Sequence, residues 1–318
     1  AFKEIVDISA SSDNEACAQI RERKIDLLIN LNGYFGFARD GVFARKPAPL
    51  QVNYLGFPGT MGAPWMDYLV ADETVIPVQS QQFYTEKIAY LPLSYQCNDS
   101  KRKISERNFS RIEVGLPDDA FVYCCFNNNY KITPHIFSVW MRILSRVPKS
   151  VLWLIEDTSR VRANLSAACA KYRVSPDRLI FAGRLSLDEH LARHQLADVF
   201  LDTLPYNAHT TASDALWAGL PVLTCSGTTF PGRVASSLLK ALDVPELITE
   251  DLAAYEDLAV KFSQDRERLY RIREKLLNKL QHGGLFDSFS FTRALESLYA
   301  QMHGRRIAGL PPESLRTK

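Results

Sequence analysis

The stretch VFLDTLPYNAHTTASDALWAGLPVLT, Val199 to Thr224, decides how this chain folds. An apolar run ends at Asp202, and a loop carrying His209-Thr210-Thr211 follows. A helix is then expected from about Ala212 to Ala218, before a second apolar run from Val222 to Thr224. Short, continuous apolar runs joined by a helix suit a parallel sheet buried on both faces. Thr210 or Thr211 suits the N-cap of that helix, and Ser213-Asp214 suit its first turn. Unpaired N–H groups and the positive helix end then make the loop a place for an anion, with two hydroxyls and an imidazole beside it. Asp214 is placed to accept hydrogen bonds from ribose hydroxyls. Read alone, the same residues serve equally well as an ordinary helix cap.

Outward from this stretch the pattern repeats. Strands are expected at Phe121 to Phe126, Val151 to Ile155 and Leu179 to Ala182, with helices at about Pro134 to Arg146, Ser159 to Tyr172 and Leu187 to Leu196. Such alternation with short connections reads as a doubly wound parallel sheet, an α/β fold. Upstream, a helix-like stretch from Asn14 to Lys24 precedes the apolar run Ile25 to Asn30. Further short strands are expected at Leu50 to Leu55, Tyr68 to Val70 and Lys87 to Leu91. Near Tyr95 to Asn108 the chain turns polar (CNDSKRKISERN), which reads as an interdomain linker. We therefore expect two Rossmann-like domains facing a cleft, residues 1–106 and 107–318, the second including a helical tail from about Glu250 to Met302. Ligands of open α/β sheets bind outside the carboxyl ends of the strands, so the loops that follow strands are where chemistry is sought.

Three more loops of this kind carry candidate residues. FNNNYKITP, Phe126 to Pro134, sets Asn128, Tyr130 and Lys131 directly after a strand. There a lysine can neutralise a phosphate leaving group and asparagines can donate hydrogen bonds. In RLSLDEHLARHQLADVFLD, His190 and Arg193 fall within one helical turn, and the imidazole could stack on a nucleobase; His194 reads as surface. In NYLGFPGTMGAPWMDY, Gly56, Gly59 and Gly62 would let the backbone approach a ligand, and Gly56 and Thr60 become candidate donor contacts. This loop does not fit G-x-G-x-x-G, and the chain contains no D-x-D, H-E-x-x-H or G-x-S-x-G. A site in which a lysine and a helix end replace a metal cation is expected, with no cofactor.

The bulk composition narrows the partners. With 38 basic and 36 acidic residues the net charge is +2, too balanced to suggest nucleic acid or an acidic membrane surface. No apolar run reaches 18 residues, so no membrane span is expected. The six cysteines include no C-x-x-C pair and read as reduced core thiols of a cytoplasmic protein. The first residues lack a signal-peptide pattern and a starting Met, and an upstream segment is expected.

On these stretches the sequence resembles the O-linked N-acetylglucosamine transferase / SPINDLY family, in particular its bacterial members. The matching blocks run in order: LINLNGYFGFARDGVFARKPAPLQVNYLGFPGTMGAPWMDY, GLPDDAFVYCCFNNNYKITP, RVPKSVLWL, HQLADVFLDTLPYNAHTTASDALWAGLPVLT and GRVASSLL. They cover about Ile25 to Met302. The resemblance implies a GT-B fold and an inverting, metal-free transfer from a UDP-sugar, UDP-GlcNAc, to Ser or Thr of a protein or peptide acceptor. It implies that Lys131 binds the diphosphate, with Tyr130 beside it, and that Asn128 stands where relatives carry a glutamine against the donor. It implies further that His190 meets the uracil with Arg193 one turn on, that His209, Thr210 and Thr211 hold the diphosphate, and that Asp214 holds the ribose. The catalytic base stays unassigned.

There are departures. Leu187 stands in place of a lysine flanking the uracil, and Tyr206 in place of a cysteine near the N-acetyl group, so Tyr206 joins the candidate sugar contacts. The family's HPxxH motif and helical repeats would lie upstream. The first domain is thus expected to be incomplete here, with the remainder supplied by an upstream helical-repeat segment or another chain. UDP-glucose or GDP-fucose as donor, and a weakly active nucleotide-sugar-binding module, stay open as alternatives.

Overall fold

The computed structural model describes residues 3–281 and 283–317. The chain forms two compact units, one running to Gln96 and resuming at Phe289, the other spanning Cys97–Ser288. In the first, α1 (Asp13–Glu22), β1 (Leu27–Asn30), α2 (Asp40–Ala44), β2 (Leu50–Asn53), β3 (Tyr68–Ala71) and β4 (Lys87–Tyr90) follow in order. A capping box starts α1: the Ser12 hydroxyl accepts from Glu15 N at 3.3 Å, and the Glu15 carboxylate accepts from Ser12 N at 2.7 Å.

The second unit holds β5 (Phe121–Cys125), α3 (Pro134–Arg146), β6 (Ser150–Ile155), α4 (Ser159–Cys169), β7 (Leu179–Ala182), α5 (Leu187–Arg193) and β8 (Val199–Leu201). It continues with α6 (Thr210–Trp217), β9 (Val222–Cys225), α7 (Val234–Ala241), β10 (Ile248–Thr249), α8 (Leu252–Gln264) and α9 (Arg266–Gln281). Last come α10 (Ser288–Ile307) and β11 (Leu315–Arg316).

Both sheets are parallel. Their orders are β1-β2-β3-β4-β11 and β10-β9-β8-β5-β6-β7. In the second sheet the chain runs outward from β5 in one direction, then returns to start again at β8. The switch point therefore lies between β5 and β8, and the loops leaving their carboxyl ends lie side by side there. Every residue of β5, β6 and β8 is buried, as helices on both faces demand. Helix α3 shows how one face is covered. Thr133 caps it by accepting from Ile136 N, Pro134 suits its first turn, and Ile136, Phe137, Trp140, Met141, Ile143 and Leu144 are buried at helical spacing. Among the described residues no helix is long and apolar enough to cross a membrane.

The compact units divide the chain differently from the expected 1–106 and 107–318. The boundary falls at Gln96/Cys97 rather than 106/107, and the segment from Phe289 onward belongs to the first unit, not the second. The polar stretch after Gln96 is held by the second unit: Ser105 N donates to Asp188 O at 3.1 Å and Arg107 pairs with Glu189 at 2.9 Å. The C-terminal segment adds β11 beside β4, pairing Leu315 with Ala89 and Arg316 with Tyr90. Finally, all six cysteines are free, but only five are buried; Cys97 is exposed at the start of that polar stretch.

Candidate functional site

The β5 and β8 loops are tied together by short polar side chains. Asn127 is fully buried; its Nδ2 donates to Thr203 Oγ1 at 2.8 Å, and its Oδ1 accepts from the Thr211 hydroxyl. Asp202, at the end of β8, organises the next turn. Its Oδ1 accepts from Thr203 N at 2.7 Å and Ala208 N at 2.5 Å, and its Oδ2 from Thr224 Oγ1 at 2.6 Å. Burial pushes this carboxyl up to about 6, against the pull of those hydrogen bonds and of Lys131. Neither Asn127 nor Asp202 was singled out from the sequence. The signal available was an acid closing an apolar strand and an asparagine directly after one.

Lys131 reaches into this frame. Its Nζ donates to Asn207 O at 2.8 Å and lies 4.4 Å from the centroid of the Tyr206 ring. Burial lowers its ordinary pKa, while Asp202 acts the other way. The His209 ring stacks on Tyr206 at 4.7 Å and 23°. His209 Nε2 lies 3.2 Å from Pro231 O; a carbonyl only accepts, so Nε2 carries the hydrogen. Burial, then the Lys131 charge, pushes His209 down to about 3, so the ring is neutral at physiological pH. Lys131, Tyr206 and His209 thus form one cluster.

At its edge α6 begins with Thr210, its N-cap being His209 rather than a threonine. No side chain caps this helix, so its first-turn N–H groups are available to an anion. Thr211 is the second helical residue and gives its hydroxyl to Asn127; Thr210 is exposed. Asp214 is the fifth residue, two residues deeper than expected, and buried. It is already paired: Arg102 of the polar stretch donates to its Oδ1. No sequence signal pointed to Arg102.

A pocket of about 320 Å³ opens beside this cluster, lined by Phe126, Asn128, Leu187, His190, Arg193 and Thr211 among others. Arg193 is buried, its guanidinium 4.7 Å from the Phe126 ring centroid, and it donates to Gly183 O at 2.6 Å. It also donates from Nε to His190 Nδ1 at 3.0 Å. The lone pair at Nδ1 is therefore engaged, and the hydrogen of the neutral His190 ring sits on Nε2. Burial first, then His194 and Arg193, hold His190 down at about 2. His194, expected at the surface, is fully buried against Phe126.

Tyr130 is 73% exposed and acts on one member of the Lys131 cluster: burial first, then Tyr130, raises the Tyr206 phenol above its ordinary value. Gly56 and Thr60 belong to the first unit and are occupied there. A Cβ on Gly56 would lie 2.1 Å from Leu31 O, so this glycine serves the close packing of two loops. Thr60 donates its hydroxyl to Glu86 Oε2 at 2.5 Å. Among the described residues, no three His, Cys, Asp or Glu side chains group as metal ligands would.

A parallel doubly wound sheet with a lysine, an uncapped helix start and a pocket at its switch point is the arrangement in which open α/β sheets take up ligands, anions among them. Comparison with known proteins narrows this: the chain belongs to glycosyl transferase family 41, matched over residues 2–109 and 107–295. It is 40% identical over 314 residues to an Arabidopsis thaliana protein named probable UDP-N-acetylglucosamine–peptide N-acetylglucosaminyltransferase SEC, covering 97% of this chain and 32% of the relative. A Caenorhabditis elegans UDP-N-acetylglucosamine–peptide N-acetylglucosaminyltransferase is 29% identical over 418 residues, covering 96% and 36%. Among solved structures, a mutant O-GlcNAc transferase of Thermobaculum terrenum superposes with a TM-score of 0.86 at 34% identity, over 93% of this chain and 56% of that one. This places both sheets in the GT-B class. The chain spans about a third of the length of the curated relatives it matches.

Proposed function

We propose that this chain carries the donor-binding part of an inverting, metal-independent transferase that moves N-acetylglucosamine from UDP-GlcNAc to Ser and Thr hydroxyls of proteins. The observation that carries the reading is Lys131: a half-buried lysine whose ammonium is held by Asn207 O beside the uncapped start of α6. In such a transfer the acceptor hydroxyl gives up its proton, in the end to solvent, as its oxygen bonds to C1 of the sugar from the face opposite the nucleotide. The bond from C1 to the diphosphate breaks, and UDP leaves with new negative charge on its β-phosphate. Lys131 and the helix start oppose that charge in the place a divalent cation would otherwise take. The pocket at Asn128, His190 and Arg193 takes the uracil, with the His190 Nε2–H facing a carbonyl acceptor of the base, and Asp214 takes the ribose. The relatives' names supply the sugar and the acceptor class; Tyr206 is the residue on which the preference at C2 turns.

Isothermal titration of UDP-GlcNAc, UDP-glucose, UDP-galactose and GDP-fucose at equal concentration tests the reading. UDP-GlcNAc is expected to bind tightest, with the same affinity in EDTA. A preference for GDP-fucose would remove the donor assignment, and loss of binding in EDTA would remove the metal-free one.

A further inference from the structure

The polar stretch Cys97–Asn108 crosses the face of α6 that carries Ser213, Asp214 and Trp217. Asn98 Oδ1 accepts from the Ser213 hydroxyl, and Trp217 Nε1 donates to Arg102 O at 3.3 Å. Between these anchors the Arg102 side chain is only 11% exposed. Its guanidinium carbon lies 5.6 Å from the Trp217 ring centroid and 5.9 Å from that of Phe286, two rings that themselves pack 4.8 Å apart. From this aromatic seat the guanidinium reaches Asp214 Oδ1 and, at 3.5 Å, Ser213 Oγ. Among the described residues nothing donates to Asp214 Oδ2. The carboxylate is thus fixed by one oxygen and leaves the other open.

We propose that Arg102 is a positioning residue for nucleotide binding: its aromatic-seated guanidinium fixes Asp214 and keeps it charged, so that Oδ2 can accept from the ribose hydroxyls. This rests on the reading of Asp214 as the ribose ligand. An exposed surface ion pair would contribute little, but this pair is buried on both sides, where loss of one partner leaves a desolvated charge. Burial raises the Asp214 carboxyl above its ordinary value and Arg102 pulls it back; no other charged group among the described residues acts on it. Without the guanidinium, protonation of Asp214 moves toward neutral pH, and a protonated carboxyl is a poorer acceptor.

The test is UDP titration of the full chain at pH 5.5, 7 and 8.5, with a melting curve at each pH, for wild type, Arg102→Met, Arg102→Lys and Asp214→Ala. Affinities are read as ratios to wild type at the same pH, so that titration of UDP itself cancels. Arg102→Met is expected to weaken UDP by roughly 10-fold at pH 7, more at pH 5.5 and less at 8.5. Arg102→Lys keeps the charge without the planar fork and should recover to within about 3-fold, with little pH dependence. Arg102→Gln, which keeps a donor for Asp214 but no charge, replaces the Met variant should that one fail to fold. A UDP ratio near one for Arg102→Met, or a loss equal at all three pH values, overturns the positioning role while Asp214→Ala still weakens binding. Unchanged UDP affinity in Asp214→Ala overturns the ribose reading and with it this inference.

Discussion

The loop after β2 in the first unit and the loops after β5 and β8 in the second hold their shapes by a different balance of means. The first relies chiefly on missing side chains: Gly56 lies on the Leu31 carbonyl, and a Cβ on Gly33, in the loop after β1, would meet the Phe57 side chain at 2.2 Å. Asn53 Nδ2, donating to Gly59 O at 3.1 Å, and Glu86, accepting from Met61 N at 2.6 Å, brace the loop. The second relies on polar side chains, with Asn127 bonding Thr203 and Thr211 across the gap between strand ends and Asp202 bracing the turn after β8. Packing of bare backbone leaves little functionality behind. A polar frame holds a lysine and a helix start in place while they still face outward. The difference teaches that glycine richness marks closeness of chain to chain as readily as closeness of chain to ligand.

The strongest way to break this comparison is to remove the group the polar frame presents. Lys131→Ala should lower turnover with UDP-GlcNAc by roughly 10²–10³, the scale of losing one preorganised charge at a leaving group. UDP affinity should fall by much less, because the charge it opposes develops during transfer. Steady-state kinetics beside UDP titration separate the two. Equal losses in both would make Lys131 a ground-state ligand only.

The second prediction concerns the frame itself. Asp202 titrates near 6 in the folded chain and near 4 in an unfolded one. The folded state therefore holds that proton more tightly, and the stabilisation this brings is complete below about pH 4 and lost as pH rises through about 6. It amounts to at most about 3 kcal/mol. Asp202→Asn cannot titrate and can still accept from Thr203 N and Ala208 N. Between pH 4 and 6.5 the wild type should lose roughly 2–6 °C of melting temperature relative to this variant. Parallel melting curves across that window would mean that Asp202 is charged throughout.

The strands that carry this frame were legible in the sequence, and the reason is local. A buried parallel strand is an unbroken apolar run, so β5 to β9 declare themselves residue by residue. The residues after β5 and β8 stand out because Asn, Lys, His and Thr there are unlike the strands before them. What escaped was long-range pairing. Arg102 and Asp214 lie 112 positions apart, and CNDSKRKISERN has the same composition whether it is solvated or clamped on a helix. The two-residue β11 carries no periodicity to read, so the return of the chain from Phe289 to the first unit was invisible. The glycines of the β2 loop were visible but ambiguous, since a missing Cβ does not say which atom comes close.

That ambiguity gives the smallest of the predictions, and the one that sharpens the comparison most directly. Gly56 N donates to Leu31 O at 3.1 Å, and a Cβ at residue 56 would sit 2.1 Å from that same oxygen, so either this bond or the loop must shift. Gly56→Ala should therefore cost about 1–3 kcal/mol, the range for overpacking a tight contact, read as a lower melting temperature. UDP and UDP-GlcNAc affinities should stay within about 2-fold, because the strain is confined to the first unit. Gly62 supplies the control. It has φ +59° and open space where a Cβ would go, so Gly62→Ala meets backbone strain without a clash and should cost about 1 kcal/mol. A donor contact at Gly56 would give the reverse pattern: weakened UDP-GlcNAc binding in Gly56→Ala, with a melting temperature no lower than that of Gly62→Ala. That outcome would restore the glycine loop to the binding site and end the contrast between a packed loop and a presenting one.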